Sequence, residues 1–434
     1  MLVYESKLKG TQEQYARLDR VIRTGLFVRN ACIRLWIDGE AKSRNDFYKH
    51  CKVLADNPEF PWAKKLNSQA RQASAERAWA SISRFFDNCK KQISGKKGFP
   101  KFKKNRASHG SVEYKQSGYK LSEDRKYIFF TDGFEAGMFR LLGTRDLHYY
   151  QLNQIKRVRV VRRADGYYAQ FLIDHDRIEK REPTGKTLGL DVGLNHLYTD
   201  SDGEILNNPR YLRKSERQLK RLHKKVSKKF VKGQKQSNNY KKAKQRLAVK
   251  HLKISRQRKD FAVKTALCVV RSNDLIAYED LKVRNMVRNH RLAKSISDAS
   301  WSLFREWVEY FAKVFGVVTV AIPPHNTSQN CSSCGQKVVK SLSTRTHKCV
   351  CGFICDRDKN AALNIFEIGL RTVGHTVTSS LELESDATHA EVSSASERAS
   401  RKASGENDLW LKEEILLSKP TRRKRKPKEQ SLES

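Results

Sequence analysis

The sequence predicts a multidomain α+β protein, and three patterns along its 434 residues support this fold class. Apolar residues recur at helical spacing over residues 12–93, whereas short alternating runs typical of strands fill residues 111–174. From residue 184 onward, short apolar strands alternate with long helices, which is the order of an α/β domain. A chain of this length suffices for roughly two or three domains.

The helices of the first half begin at a recognisable start signal. Thr11 and Gln14 have the spacing of a capping box, so we expect a helix to begin there. Apolar periodicity predicts two further helices, over residues 45–54 and 68–93. Together these segments predict a helical lobe that covers residues 11–110.

The strands of the first half predict a small β-barrel. Short alternating runs lie between Ser111 and Asp174, and Asp165-Gly166 is a typical turn between the last two of them. A strand over residues 2–8 precedes the helical lobe, so the lobe is inserted after the first strand of the barrel. The barrel is therefore assigned to residues 1–10 and 111–183.

The chain is strongly basic. Lys and Arg number 87 against 47 Asp and Glu, which gives a formal net charge of +40. A field of this size favours a polyanion as partner, and nucleic acid is the first candidate. No run of about 18 apolar residues occurs, so we expect no membrane span. The N-terminus lacks the apolar segment of a signal peptide, and nine cysteines suit a reducing cytoplasm.

Two segments carry positive charge in a form that suits nucleic acid. Residues 210–260 hold 21 Lys or Arg against two acidic residues, on a predicted helical hairpin that covers residues 210–271. In residues 95–104, Lys side chains alternate with Phe99 and Phe102, which would stack on bases. A solvated helix face and a basic linker are the respective alternatives. The candidate contacts are Lys101, Lys103, Lys104, Lys220, Arg221, Lys224, Lys225, Lys228 and Lys229.

Acidic residues accompany three elements of the second half. Asp191 lies in an apolar run that predicts a buried strand, and Glu279 ends a second such run. Asp356 and Asp358 open the last helix. Burying an unpaired carboxylate is costly, so such residues usually have a cation or a donor nearby. Carboxylates that converge from several elements can hold the Mg²⁺ ions that phosphodiester cleavage uses.

Three of these carboxylates also have a plainer interpretation. Asp191 could be a hydrogen-bonded residue at a strand end, and Glu279 could simply end its strand. The surrounding Gly-x-Asp-x-Gly pattern also opens actin-like ATPases, but Leu194-Asn195-His196 stands where their phosphate loop would follow. Asp356 could cap the last helix rather than bind a metal.

Four cysteines have the spacing of a zinc ribbon. Two residues separate the first pair, one residue separates the second, and 14 residues lie between the pairs. A glycine follows each pair and lets the backbone turn its amides towards the thiolates. One Zn²⁺ with tetrahedral sulfur coordination would fix residues 326–355, which have little core of their own. Cys355 is an alternative ligand. The four cysteines are Cys331, Cys334, Cys349 and Cys351.

The order of these motifs resembles the RuvC-like nuclease of TnpB proteins, which insertion sequences encode, and of the related type V CRISPR effectors. The resemblance runs from about Met1 to Arg371. It implies an RNase H-like (RuvC) α/β nuclease domain over residues 184–325, with the zinc ribbon inserted before a last helix over 356–372. The motifs that carry it are Gly189-Leu190-Asp191-Val192-Gly193, Tyr278-Glu279-Asp280, the two cysteine pairs and Asp358-Lys359-Asn360-Ala361-Ala362.

The resemblance also implies roles. The barrel corresponds to a wedge domain and the helices to a recognition lobe. Together they form the N-terminal half, which would read a short motif beside the target. Asp191, Glu279 and Asp358 would hold two Mg²⁺ ions, because Asp358 stands where the family has its ligand. A guide RNA from the element's own end would pair with double-stranded target DNA, which the RuvC-like site cuts.

Several alternatives stay open at this point. A type V CRISPR effector would use the same chemistry with a CRISPR RNA. An RNA-guided DNA-binding repressor would not cleave, and would be expected to lack a carboxylate. A transposase that joins strands itself would need a strand-transfer arrangement. The tail, residues 373–434, is rich in Ser and Glu and then basic, so we expect it to be disordered.

Overall fold

The computed structural model describes residues 1–93, 95–104, 110–143, 146–341 and 343–381. The chain divides into two compact units. The first contains Met1–Arg177 and Leu222–Leu252, and the second contains Ile178–Arg221 and the chain from Lys253 onward. Each unit combines helices with a β-sheet, which confirms the predicted multidomain α+β class.

The first unit contains an antiparallel sheet of seven strands. The strands are β1 (Leu2–Lys9), β2 (Gly110–Lys115), β3 (Tyr119–Leu121), β4 (Tyr127–Phe130), β5 (Met138–Leu142), β6 (Ile155–Arg163) and β7 (Gly166–Ile173). Their order is β2-β6-β7-β1-β5-β4-β3, with β1 in the centre. The predicted strands are therefore confirmed, whereas closure into a barrel stays a prediction, because the hydrogen-bonded order has two ends.

Four helices follow β1, namely α1 (Gln12–Ile37), α2 (Arg44–Asp56), α3 (Pro61–Lys65) and α4 (Ser68–Lys90). The predicted capping box is present, since the Thr11 hydroxyl accepts from the Gln14 amide and the Gln14 side chain accepts from the Thr11 amide. The start of α1 packs on the sheet through Leu18 and Ile22. The prediction extended α4 to residue 93, but the helix ends at Lys90, before Gln92 adopts a left-handed backbone conformation.

A buried ion cluster ties β2 to β6. Glu113 is 4% exposed, and its carboxylate accepts hydrogen bonds from Arg157 at 2.8 Å and from Arg159 at 2.8 and 3.0 Å. Burial opposes ionisation of this carboxyl, but the two guanidinium groups lower its pKa below the usual value.

The second unit is built on a five-stranded sheet. Its strands are β8 (Thr187–Val192), β9 (His196–Asp200), β10 (Ile205–Asn207), β11 (Leu275–Glu279) and β12 (Val318–Ile322). The order is β10-β9-β8-β11-β12, in which β8, β11 and β12 run parallel and β9 and β10 form antiparallel hairpins. The inner strands are nearly continuous apolar runs because helices cover such parallel sheets.

The remaining elements include the predicted helical hairpin. It consists of α5 (Tyr211–Lys228) and α6 (Asn238–Ser272), and is followed by the short helices α7 (Val283–Met286) and α8 (Ala293–Ala299). Then come α9 (Trp301–Phe315), the ribbon β13 (Thr346–Lys348) and β14 (Ile354–Asp356), and α10 (Arg357–Leu381). Across the described ranges, none of the helices has the length and apolar character that a bilayer crossing requires.

Two expectations need correction in the second unit. The sequence pattern predicts that Asp298 caps the helix at Trp301, but its buried carboxylate accepts from the amides of Leu212 at 2.8 Å and Arg213 at 3.1 Å. It therefore accepts from the free amides in the first turn of α5. Because Asp298 lies far from α5 in the sequence, no local pattern could predict this contact. The last helix is predicted to stop at residue 372 and the tail from residue 373 to be disordered, but α10 continues to Leu381. Residues 382–434 of the predicted disordered tail lie outside the described residues.

Candidate active site

The two predicted strand carboxylates lie at the same edge of the second sheet. β8 and β11 are parallel neighbours, and Leu190 is paired with Tyr278. Asp191 and Glu279 are the next residues on their strands, so both lie towards the carboxyl ends. Residues 190 and 278 are buried and apolar, which fixes the register of the two strands.

The third carboxylate reaches this edge because α10 packs unusually close to the sheet. A Cβ atom on Gly189 would lie 2.4 Å from the carbonyl oxygen of Ala362 and 2.7 Å from Cβ of Phe366. A Cβ atom on Gly369 would likewise lie 2.4 Å from Cβ of Ala277. Only glycine allows such an approach, which directs the first turn of α10, with its acidic residues, towards the carboxylates of β8 and β11.

The charges of these residues act on one another. Burial raises the pKa of Asp191 well above its usual value, and the charges of Glu279 and Asp358 raise it further. Arg357 opposes this shift. Burial also raises the pKa of Glu279, although the Thr327 hydroxyl donates a hydrogen bond of 2.6 Å to its carboxylate. Glu279 and Asp358 thus lie near enough to Asp191 for their charges to act on it.

The two acidic residues of the last helix have different surroundings. Asp356 Oδ1 accepts from the amides of Asp358 at 2.8 Å and Lys359 at 3.3 Å, so the predicted capping role is confirmed. The Asp358 carboxylate instead accepts from the Arg357 side chain at 3.0 and 3.1 Å, and Arg345 lies 3.7 Å away. Sequence reasoning missed both arginines.

This donor set fits hard divalent cations. It offers carboxylate oxygens from β8, β11 and α10, partly buried, with like charges that repel one another. Such a cluster is stabilised when a cation neutralises it, and Mg²⁺ prefers oxygen ligands of this kind.

Three polar residues near the carboxylates were also missed. Thr327 is 6% exposed and contacts Glu279, while Asn360 and Asn364 are 0% and 8% exposed on α10. The two asparagines lie four residues apart, on either side of Ala361-Ala362 in the motif. This spacing places both side chains on one helix face. The sequence could therefore have indicated that the two asparagines contact the same neighbouring segment.

The cysteine cluster has the geometry of a sulfur-coordinated metal site. The four predicted Sγ atoms all lie within 4.8 Å of one another. Cys331 and Cys351 are 3.8 Å apart, and Cys334 and Cys349 are 3.6 Å apart. A tetrahedral site with Zn–S bonds of about 2.3 Å requires sulfur separations of about 3.8 Å. The Cys355 Sγ lies instead beside the carbonyl oxygen of Asp356, at 3.3 Å.

Backbone turns shape the cysteine cluster. Gly335 and Gly352 follow the two pairs with φ angles of 75° and 87°, which favour glycine. These turns aim amides at the sulfur atoms, and the Phe353 amide is the largest influence that lowers the pKa of Cys351, to about 7. The predicted role of the two glycines is thus visible in the turns.

The predicted nucleic-acid contacts are accessible. The six cations of the hairpin are exposed, and of these Lys220 forms an ion pair with Glu216 at 3.1 Å. The lysines of residues 101–104 are exposed too. Phe99, in contrast, packs against Trp36 and Phe85 with ring centroids 5.5 and 5.4 Å away, so part of its surface is used within the lobe.

Two family models match the chain. Residues 170–290 match the model OrfB_IS605, described as "Probable transposase", and residues 301–365 match "Cas12f1-like, TNB domain". The first match includes β8 and β11 with the hairpin between them, and the second includes the cysteine cluster and the start of α10.

Individual proteins match over most of their length. A protein of Streptomyces pristinaespiralis named "Putative RNA-guided DNA endonuclease" is 30% identical over 376 residues, which cover 85% of this chain and 89% of the relative. The Escherichia coli K12 protein "Putative RNA-guided DNA endonuclease InsQ" is 29% identical, covering 72% and 77% of the two chains.

A solved structure supports the fold. The protein in "Cryo-EM structure of the Cas12f1-sgRNA-target DNA complex" aligns with a TM-score of 0.51 at 16% identity, over 82% of this chain and 83% of that chain. At this identity the likeness concerns the fold alone. Because the Streptomyces relative is matched along nearly its whole length, this chain belongs to the TnpB family, which is related to Cas12f.

Proposed function

We propose that this chain is an RNA-guided DNA endonuclease of a transposable element, which cleaves target DNA by two-metal phosphodiester hydrolysis. The observation that carries the proposal is the convergence of Asp191, Glu279 and Asp358 on one sheet edge. The names of the two relatives support the activity, and the solved complex of Cas12f1 with guide RNA and target DNA supports these two nucleic acids as partners.

The three carboxylates are the proposed ligands of two Mg²⁺ ions. Bound Mg²⁺ ions would stabilise the charge on the attacking and leaving oxygens of the phosphodiester. Burial and the charges of Glu279 and Asp358 raise the pKa of Asp191, so a bound cation would favour its ionised form. Arg357 lies at the same edge and moderates the negative charge, so it is suited to hold Asp358 in place.

The other parts of the chain receive supporting roles. The four clustered cysteines would hold one Zn²⁺ that fixes the zinc ribbon, residues 326–355. The sheet of the first unit would be the wedge domain, and α1 to α4 the recognition lobe. The hairpin lysines and arginines would contact nucleic-acid phosphates.

Two observations favour this proposal over the CRISPR effector and the repressor. A type V CRISPR effector has the same chemistry, but residues 170–290 match a family described as a transposase. A repressor without cleavage would not need Glu279 and Asp358 beside the buried Asp191.

The test is guide-directed cleavage. RNA that copurifies with the protein is sequenced, and DNA complementary to its variable end is offered as substrate with Mg²⁺. Wild-type protein should cut this DNA, whereas Asp191→Ala should bind it without cutting. Asp202→Ala, which changes an exposed aspartate in the β9–β10 turn, is the matched control and should cut normally. Equal cutting by wild type and Asp191→Ala would refute the assignment of the site.

A further inference from the structure

A short segment joins the carboxylate site to the cysteine cluster. We call residues 327–331 the strap. It follows Asn326, whose φ angle of 60° begins a tight turn after β12. Thr327 and Cys331, at its two ends, are 6% and 1% exposed. The strap thus runs within the second unit from a contact of Glu279 to a cysteine of the cluster.

The first end of the strap holds Glu279. The Thr327 hydroxyl donates a hydrogen bond of 2.6 Å to Glu279 Oε1. A hydroxyl that donates to a carboxylate forms a strong, directional hydrogen bond, which limits the orientations that the carboxylate can adopt. The position of Thr327 therefore determines where Glu279 presents its oxygens.

The helix that carries Asp358 holds the strap in turn. Asn364 Nδ2 donates to the carbonyl oxygens of Thr327 at 2.7 Å and Asn330 at 2.8 Å. Asn360 Nδ2 also donates to the Asn330 carbonyl, at 2.7 Å, and its Oδ1 accepts from the Ser332 amide at 3.0 Å. Because the two asparagine residues are buried, their side-chain hydrogen bonds would be costly to lose. Glu279 and Asp358 are thus linked through one set of polar contacts.

The second end of the strap is fixed by the cysteine cluster. The Cys331 amide donates to the Gln336 carbonyl at 2.9 Å, and the Gly335 amide donates to the Cys331 carbonyl at 2.8 Å. A metal bound by the four thiolates would immobilise Cys331 and hence the strap.

We propose that Thr327 is a positioning residue for Glu279, and that metal occupancy at the cysteine cluster sets the divalent-cation affinity of the carboxylate site through the strap. The proposal rests on the proposed function, which assigns both metal sites. Coupling between two binding equilibria is reciprocal, so a cation at the carboxylates would strengthen metal binding at the cysteines by the same factor.

The role of Thr327 is tested by Mn²⁺ binding to the full chain without nucleic acid, followed by electron paramagnetic resonance. Asp191→Ala should abolish the binding, which shows that the signal reports the carboxylate site. Thr327→Val should weaken Mn²⁺ binding about 10- to 100-fold, the usual effect of removing a group that orients a metal ligand. Thr327→Ser keeps the hydroxyl and should restore affinity.

The matched control is Thr24→Val, which removes another buried hydroxyl, one that donates to the Arg20 carbonyl in the first unit. Its Mn²⁺ affinity should equal that of wild type. In cleavage assays, Thr327→Val should raise the Mg²⁺ concentration for half-maximal rate more than it lowers the rate at saturating Mg²⁺. Wild-type Mn²⁺ affinity in Thr327→Val, or equal losses in the Val and Ser variants, would overturn the positioning role.

The coupling is tested with Cys334→Ser, because Cys334 lies outside the strap. Metal analysis should find about one Zn²⁺ per wild-type chain and none in the variant. Mn²⁺ affinity should fall in Cys334→Ser, with little further loss when Thr327→Val is added, since both changes would act through one path. If the variant does not fold, zinc-depleted wild type that keeps its circular dichroism spectrum replaces it. Full Mn²⁺ affinity without zinc would overturn the coupling.

These readouts separate the inference from the proposed function. Mn²⁺ binding requires neither guide RNA nor target DNA. Failure of guide-directed cleavage by wild type would contradict the proposed function, while the Mn²⁺ affinities would still decide for or against the strap.

Discussion

Asp356 and Asp358 show how two neighbouring aspartates can differ in role. We predict that Asp356→Ala loses about 1 kcal/mol of stability, because its carboxylate caps the first turn of α10. DNA cleavage should persist in this variant and disappear in Asp358→Ala. Thermal unfolding and a cleavage assay measure the two effects.

The control for this prediction is Asp356→Asn, whose side-chain oxygen can still accept from the helix amides. It should recover most of the stability that Asp356→Ala lacks. Loss of cleavage in folded Asp356→Asn would instead identify Asp356 as a metal ligand.

Glu113 provides a prediction about pH at the same scale. Its folded-state pKa is lowered by Arg159 and Arg157 against the effect of burial. A carboxyl group with a depressed pKa stabilises the fold above its unfolded-state pKa, and that stability is lost as the pH falls through the folded-state value. We therefore expect Glu113→Gln to be less stable than wild type by about 3–5 kcal/mol at pH 7. The difference should shrink in acid below the ordinary carboxyl range.

Urea unfolding at several pH values measures this difference. Glu13→Gln is the control, because Glu13 forms an exposed ion pair with Arg17 on α1. Exposed pairs contribute about 0–1 kcal/mol, so this variant should remain near wild type at every pH. A Glu113→Gln deficit that stays constant down to acid pH would contradict the linkage argument.

The helices and strands could largely be predicted from local sequence patterns, whereas the contacts between them could not. Apolar runs predicted β8 and β11, and the capping box predicted the start of α1. In contrast, the Asp298 carboxylate caps α5, which lies far away in the sequence. The hydrogen bond between Thr327 and Glu279 is equally remote in sequence, so no local periodicity could indicate it.

The candidate site was predictable to a similar degree. The cysteine spacing was sufficient to identify a cluster, because each pair is local and its glycine turn is visible in the sequence. The grouping of the carboxylates needed the resemblance, since Asp191 and Asp358 meet only through close packing of α10. The ion pair between Arg345 and Asp358 could not be predicted locally, because Arg345 precedes the β13–β14 ribbon in the sequence.

The hairpin formed by α5 and α6 allows a prediction at the scale of an element. Replacement of four of its exposed lysines by alanine should weaken RNA binding equally for all sequences, because interactions with phosphates carry no sequence information. Removing each lysine that binds a phosphate should also reduce the slope of log affinity against log salt by about one unit. The four residues are Lys224, Lys225, Lys228 and Lys229.

Filter-binding titrations at several salt concentrations measure both effects. The matched control removes the same charge from exposed lysines of the helical lobe, Lys42, Lys49, Lys52 and Lys64. If the hairpin binds phosphates, the slope should decrease more in its variant than in this control. Identical slopes for the hairpin variant and wild type would mean that the polyanion binds elsewhere.

The charge of the whole molecule has its own consequence. A net charge of +40 repels itself, so the free protein should melt at a higher temperature as salt is added. RNA should raise the melting temperature further at fixed salt, because a ligand that binds the folded state stabilises it. Differential scanning fluorimetry with RNA and with an uncharged polymer distinguishes these effects. A melting temperature that falls with added RNA would contradict the prediction.

The close packing of α10 against β8 also determines when, during synthesis, the protein can become active. A ribosome completes the residues of both carboxylate strands well before it reaches Arg357, where α10 begins. A nascent chain can therefore fold Asp191 and Glu279 into place while the third carboxylate has not yet been synthesised. Asp358 can come near the other two carboxylates only after α10 has been synthesised and has packed against Gly189. Products that terminate before Arg357 would thus lack Asp358, and the host genome would be exposed to the cutting activity only from chains that have been extended through α10.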